Sequence, residues 1–444
     1  MMKKRMISLL LAAALCLSLA ACARAPEQGR PENSNGGERV PTQTQPAAPS
    51  STDTSSATNP STAVPTEKPV NTSGNDIPRS GVGAFTEKCL SEFLGDLKGE
   101  NGVCSPLNIY MALGMLCELT DGESRNQLLE LLACSDMDEL REELRVLWAS
   151  ANSDTDDLTL LQAASLWLSD EIAYHEETLR CLAETYGAES FSGQMGSADF
   201  NRQLRDWVDE QTRHLLENES KELELIPQTV MGLVTTLYLY AKWSNPFEES
   251  FTKEQVFYAE QGEQTAPFMH QTSSMAYYEG ERFRAVRLPM DGGVGMWILL
   301  PDEDSSLQEL IERGGAAALL CDTQTQETLE QTRIKLSLPK FDVENGADLI
   351  DHLQRLGVSD IFAPDTADFS PLSEEQAYVS EILHAARVKV DEYGCEAAAF
   401  TAILMKSAAT LKEPIDFVCD RPFLFAVTMD GGPILFAGAV NSME

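Results

Sequence analysis

Cys395-Glu396-Ala397-Ala398-Ala399-Phe400-Thr401-Ala402-Ile403-Leu404-Met405-Lys406-Ser407-Ala408-Ala409-Thr410-Leu411-Lys412-Glu413 contains neither glycine nor proline. That composition suits a regular element better than a loop. Read alone, its alanines, leucines and lysines favour a helix. It follows directly, however, on Ala386 to Asp391, where Val388 and Val390 alternate with polar residues as in a half-buried strand. Continued onward, the alternation puts Cys395, Ala397, Ala399, Thr401 and Ile403 on one side and Glu396, Ala398, Phe400 and Ala402 on the other. A strand with one small, mostly unbranched face can slide between two existing strands without demanding a large cavity. Helix and strand both stay open here, and the strand reading makes the segment a strand in waiting.

Upstream, helices come first and long strands after, the pattern of an α+β fold with antiparallel sheets. Phe85, Cys89, Phe93 and Leu97, with Leu90 beside them, recur at helical spacing. Ser105-Pro106 introduces a helix through Asn108 to Glu118, and the β-branched and aromatic run from Leu233 to Tyr240 predicts a strand. Asp291-Gly292-Gly293 and Asp430-Gly431-Gly432 each separate two apolar runs with turn chemistry that suits close antiparallel pairs. Ile334, Leu336 and Leu338 alternate with polar residues as a half-buried strand does.

The amino terminus sets the compartment. Lys3, Lys4 and Arg5 precede an apolar run from Ile7 to Leu19, which reads as an export signal over residues 1–21. Leu19-Ala20-Ala21-Cys22 resembles a bacterial lipoprotein cleavage box, which implies Cys22 as the lipidated first residue of a membrane-anchored, extracellular chain. Competing readings are an ordinary signal cleaved at the small residues, or a retained transmembrane helix, for which the run is short against the ~20 residues a bilayer needs. Residues 22–80 are dominated by Pro, Ser, Thr, Gly, Gln and Asn. Burial cannot offset the ordering entropy of such a stretch, so it reads as a disordered tether with a reach of roughly 40 Å. Residues 81–444 show no second linker and no repeat, and read as one large domain.

A net charge of -37 argues against nucleic acid and against heparin-type polyanions as partners. Asp136 to Arg145 reads as a solvated acidic helix face. Cys89, Cys104, Cys117, Cys134, Cys181, Cys321, Cys395 and Cys419 permit disulfides in an exported chain. Their wide spacing better suits free thiols buried as small hydrophobes. Neither a nucleophile elbow, nor a zinc-protease helix motif, nor a Cys-x-x-Cys pair, nor a phosphate loop occurs, and the five histidines are scattered. We therefore expect no catalytic residues, no cofactor and no metal.

A series of motifs in fixed order carries a family resemblance across the whole domain. Asn101-Gly102-Val103-Cys104-Ser105-Pro106-Leu107-Asn108 comes first, then Asn201 with Trp207-Val208 and Thr212, then Tyr238, Trp243, Phe247, Thr252 and Phe257. Met269-His270-Gln271-Thr272, Leu288-Pro289, Leu299-Leu300-Pro301, Leu338-Pro339-Lys340-Phe341, Leu356-Gly357 and Ala367-Asp368-Phe369-Ser370 follow. His384, then Glu392-Tyr393-Gly394-Cys395-Glu396-Ala397-Ala398-Ala399, and Arg421-Pro422-Phe423 close the series. The chain resembles the serpins, serine protease inhibitors. What the resemblance implies is an α+β fold of three β-sheets with about eight or nine helices, an exposed reactive-centre loop, and a monomer. It further implies a suicide mechanism, in which a target serine protease, or a cysteine protease, cleaves the loop and is trapped as an acyl-enzyme while the loop inserts into the main sheet. Glu392, Gly394, Cys395, Glu396, Ala397, Ala398 and Ala399 would form the hinge; Ser105, Asn108, Thr235, Trp243 and His384 the shutter and breach. Family spacing places the scissile bond between Ala408 and Ala409, suiting elastase-like or subtilisin-like enzymes; a register two residues earlier, Lys406–Ser407, implies a trypsin-like target. Cys395 replaces the usual Thr or Ser, Thr235 stands where the family has Asn, and Phe400 is bulky. The alternative within the family is a non-inhibitory surface binding protein.

Overall fold

Helices lead and strands follow, as the sequence pattern predicts. The computed structural model describes residues 80–95, 97–395 and 413–443. It opens with α1 (Ser80–Leu94), β1 (Gly102–Cys104), α2 (Pro106–Leu119), α3 (Gly122–Leu131) and α4 (Met137–Ser150). Next come β2 (Ser153–Asp154), β3 (Leu158–Ser169), α5 (Glu176–Tyr186), β4 (Glu189–Gly193), α6 (Ala198–Gln211) and β5 (Met231–Lys242). A run of strands, β6 (Lys253–Ala259), β7 (Gly262–Glu279), β8 (Phe283–Met290) and β9 (Val294–Pro301), precedes the short helices α7 (Leu307–Glu312), α8 (Gly315–Cys321) and α9 (Thr323–Thr328). The last third holds β10 (Gln331–Pro339), β11 (Phe341–Asp348), α10 (Ile350–Arg355), β12 (Leu383–Val390), β13 (Gly394–Cys395), β14 (Ile415–Val418), β15 (Phe423–Met429) and β16 (Ile434–Val440).

Two hydrogen-bonded sheets result, of seven and nine strands. The main sheet runs β11-β12-β13-β5-β3-β2, with β4 beside β3. The other runs β1-β16-β15-β9-β8-β7-β10-β14, with β6 beside β7. The α+β class stands, but the expected three sheets become two and the expected eight or nine helices become ten among the described residues. The cause is β7: its 18 residues pair with β6 near one end, with β10 in the middle and with β8 at the other end, fusing two ladders into one. Both predicted hairpins form, β8–β9 and β15–β16. The first turn needs its glycines, since Gly292 and Gly293 adopt φ of 81° and 82°.

Helix α2 lies between the sheets. Ser105 caps it, accepting from the Asn108 amide, and Pro106 starts it, where a missing N–H costs nothing. It is apolar all round, and of its 14 residues only Ala112 is not buried. On the outer face, α6 seats Phe200 edge-on against Trp167 of β3, and Asn201 exchanges two hydrogen bonds with Leu225 at 3.1 and 2.7 Å.

Helix α4 corrects one reading. Asp138, Glu139 and Glu142 do face solvent, but Glu143 is 2% exposed. It accepts from the Tyr110 hydroxyl at 2.7 Å and from the Val82 amide at 2.9 Å, capping the first turn of α1. None of the eight domain cysteines is joined in a disulfide, and six of them are buried. Burial pushes the thiol of Cys104 up to about 12, so it behaves as a small apolar side chain.

Candidate functional site

The segment that opened the sequence reading begins inside the main sheet. Cys395 pairs with Val390 of β12 on one side and with Ala241 of β5 on the other, and Gly394 pairs with Lys242. Among the described residues, β13 is the sole ladder connection between β5 and β12. Cys395 is 3% exposed, so the thiol is small enough to be accommodated there. A Cβ on Gly394 would fall on the Ala241 carbonyl oxygen, so close approach of two backbones is what demands glycine here.

A collar of polar bonds holds the two residues before β13. The Trp243 amide donates to the Tyr393 carbonyl and the Phe247 amide to the Glu392 carbonyl, both at 2.9 Å. The Trp243 indole N–H reaches the Asp391 carbonyl at 2.9 Å. The Glu392 carboxylate is buried, accepting from Thr252 Oγ1 and Lys340 Nζ, each at 2.8 Å. Burial alone would raise the Glu392 pKa. The hydrogen bonds from Lys340, Thr252 and its own amide together outweigh that and hold the group ionised below the usual carboxylate range. The Tyr393 hydroxyl donates to Glu249.

The predicted shutter residues meet around the start of α2. Ser105 Oγ donates to the Leu435 carbonyl at 2.7 Å and accepts from the Asn108 amide at 3.2 Å. The Ser105 amide donates to Nε2 of His384 at 3.0 Å. Thr235 Oγ1 donates to Asn108 Oδ1 at 3.3 Å, so threonine keeps a link from β5 to α2. Desolvation lowers the pKa of His384 to about 4, leaving a neutral ring that accepts a hydrogen bond.

Eight of the predicted positions are thus described: Glu392, Gly394, Cys395 and Trp243 gather around β13, and Ser105, Asn108, Thr235 and His384 around the start of α2. Glu396, Ala397, Ala398, Ala399, Lys406, Ser407, Ala408, Ala409 and Cys22 lie outside the described residues, as do the signal and the tether up to residue 79, Ser80 being the first residue of α1. Beyond Cys395 the next described strand is β14, which pairs parallel to β10 in the second sheet. Lys340 and Thr252, partners of Glu392, carried no role in the sequence reading, although both stood in its motifs. Among the described residues no cluster of His, Cys, Asp and Glu could hold a metal ion, and no helix is long and apolar enough to cross a membrane.

Comparison with known proteins bears on this arrangement. A family profile described as Serpin (serine protease inhibitor) matches residues 80–443. An uncharacterised serpin-like protein of Thermococcus kodakarensis is 30% identical over 397 residues, covering 86% of this chain and 91% of the relative. Antitrypsin of Bombyx mori is 27% identical, covering 82% of this chain and 94% of its own. Among solved structures, the thermophilic serpin tengpin in its native state matches with a TM-score of 0.74 at 25% identity, covering 85% of this chain and 96% of its own. Human thyroxine-binding globulin complexed with thyroxine shares the fold, with a TM-score of 0.72 at 23% identity, over 82% of this chain and 98% of its own.

Proposed function

The chain belongs to the serpin family, and on that premise we propose that it is an irreversible suicide-substrate inhibitor of serine endopeptidases, with cysteine endopeptidases as a second target class. Serpins are in general protease inhibitors, and some are not. The observation that carries the inhibitory reading is the placement of Gly394 and Cys395 between β12 and β5. A segment whose first two residues already occupy the sheet needs only to extend that ladder to become a full strand. The small residues Ala397, Ala398 and Ala399 suit that extension, and Phe400 is the bulky exception. Cleavage between Ala408 and Ala409 would leave the protease joined as an acyl-enzyme to the end of a segment drawn into the sheet. The small acyl-side residue favours elastase-like or subtilisin-like targets, with Lys406–Ser407 and a trypsin-like target as the second register.

The test is incubation of the chain with pancreatic elastase, subtilisin and trypsin, followed by denaturing electrophoresis and intact mass. A denaturant-resistant adduct with a released peptide starting at Ala409 supports the mechanism and the register together. Full cleavage without adduct by all three enzymes supports a non-inhibitory binding protein instead. We further propose that residues 1–21 are a signal, that Cys22 carries a lipid anchor and that residues 22–80 tether the inhibitor at the cell surface. Expression of Cys22→Ser should then move the protein from the detergent phase to the aqueous phase.

A further inference from the structure

Beside the shutter, a cavity of about 220 Å³ lies between α2 and the lower half of β5. Leu113, Leu116, Leu225, Leu233 and Leu372 give it apolar walls, and Ala112, the residue of α2 that is not buried, faces it as well. Asn108, Thr235 and His384 also line it.

These polar groups are incompletely used. His384 is 6% exposed, and because Nε2 accepts from the Ser105 amide, the neutral ring must carry its hydrogen on Nδ1. Asn108, 9% exposed, uses its side-chain oxygen to accept from Thr235. Among the described residues, neither His384 Nδ1 nor the Asn108 side-chain nitrogen has an acceptor. Two donors of largely buried residues therefore open onto a mainly apolar cavity without an acceptor from the described residues, and donors in such a setting are ordinarily paired. The charged lining residues are Glu224 and Glu381, both exposed, and they disfavour an anion.

We propose that this cavity binds a neutral, carbonyl-bearing apolar small molecule, whose oxygen accepts from His384 Nδ1 and the Asn108 amide while its hydrocarbon part fills the space between α2 and β5. Met231 to Thr235 of β5 line the cavity, and among the described residues the edge of β5 away from β3 is paired only at Ala241 and Lys242. The occupant sits beside that edge, where β13 would have to extend. Resting on the inhibitor reading, the bound molecule therefore slows insertion and diverts the protein from trap to cleaved substrate.

The probes are 4-phenylbutanamide, 4-phenylbutanoate and butylbenzene, titrated into the full chain by calorimetry and thermal unfolding. The amide should bind and raise the unfolding midpoint, and the carboxylate and the hydrocarbon should bind about tenfold more weakly or worse, since the hydrocarbon leaves the cavity-facing donors unpaired and the carboxylate brings a charge to the acidic rim. Equal affinity for all three, or no binding of the amide because water or the chain's own segment holds the cavity, overturns the proposal. Ala112→Phe should fill the cavity and abolish amide binding. Should that variant fail to fold, a diazirine analogue of the amide decides the location on the unaltered chain: labelling in α2 or β5 is expected, and labelling elsewhere overturns it. With whichever protease forms an adduct, saturating amide should lower the adduct fraction at least about twofold. An unchanged fraction alongside proven binding overturns the regulatory half. If no protease forms an adduct, the inhibitor reading fails while titration and labelling still decide the site.

Discussion

Gly394 has no room for a side chain, because a Cβ would meet the carbonyl oxygen of Ala241 on the neighbouring strand. Backbone cannot yield as a flexible side chain does, so Gly394→Ala should push β13 out of the sheet. We expect a loss of at least about 2 kcal/mol, the scale of overpacking a tight site. The amide of Trp243, bonded to the Tyr393 carbonyl, should exchange with solvent faster in that variant, and hydrogen exchange by mass spectrometry reads this directly. His384 supplies a second prediction, in pH. Its pKa falls from 6.5 to about 4 on folding. The unfolded chain then binds the proton more readily, so the contribution of the neutral ring is complete above about pH 6.5 and is lost as pH falls toward 4. The whole shift is worth about 3 kcal/mol. Protonation would also set an N–H against the Ser105 amide that now donates to Nε2. Chemical denaturation at pH 7 and pH 4.5 should show the wild type losing about 2 kcal/mol more than His384→Gln. Equal losses would mean the ring does not titrate as its burial requires.

At the scale of elements, β13 joins β5 to β12 through two residues, and one of them is a cysteine. Cys395→Arg would require a buried guanidinium between Val390 and Ala241, without a carboxylate from either paired residue to meet it. The expected result is a protein still cleaved by its protease but no longer forming the denaturant-resistant adduct, visible as a shift from adduct to cleaved band on a denaturing gel. Sustained trapping would remove Cys395 from the inserting face. The existence of β13 was legible only in part. The alternation from Ala386 through the following residues predicted a strand, and the glycine turns predicted the hairpins of the second sheet, because both signals are local. Which strands flank Cys395 was not legible from local pattern, since Ala241 lies far away in sequence and the period-2 signal names a face but never a partner. The same limit hid Lys340 as the partner of Glu392. On α4, local charge pattern put Glu143 on a solvated face, whereas Tyr110 and the first turn of α1 supply its buried bonds. Family resemblance, not periodicity, picked out the proposed shutter residues, and the structure shows why they are neighbours: Ser105 sits where α2, β16 and β12 meet.

At the scale of the whole molecule, the main sheet is unfinished among the described residues. Among the described residues, β5 is paired with β3 from Leu158–Ala241 down to Leu168–Met231, yet its other edge meets a partner only at Ala241 and Lys242. Strand β12 is likewise paired along its length with β11, and with β13 at Val390 alone. If cleavage frees the segment after Cys395 to extend β13, roughly ten ladder hydrogen bonds at about 1 kcal/mol each would be added. That sum, roughly 10 kcal/mol, is comparable to the full stability of an ordinary domain. The intact fold would then be a kinetic state, and its lower energy relative would be reached only by cutting the loop. The predicted consequence is unusual for a proteolysed protein: a chain nicked once between Ala408 and Ala409 should unfold at a higher temperature than the intact one, by about 20 °C on the usual conversion for a large domain. Nicking should also protect the β5 amides between Met231 and Tyr240 from exchange. Scanning calorimetry before and after limited elastase digestion decides the matter. A midpoint that stays put after a single cut would mean the segment does not complete the sheet, and the fold would then serve to bind rather than to trap.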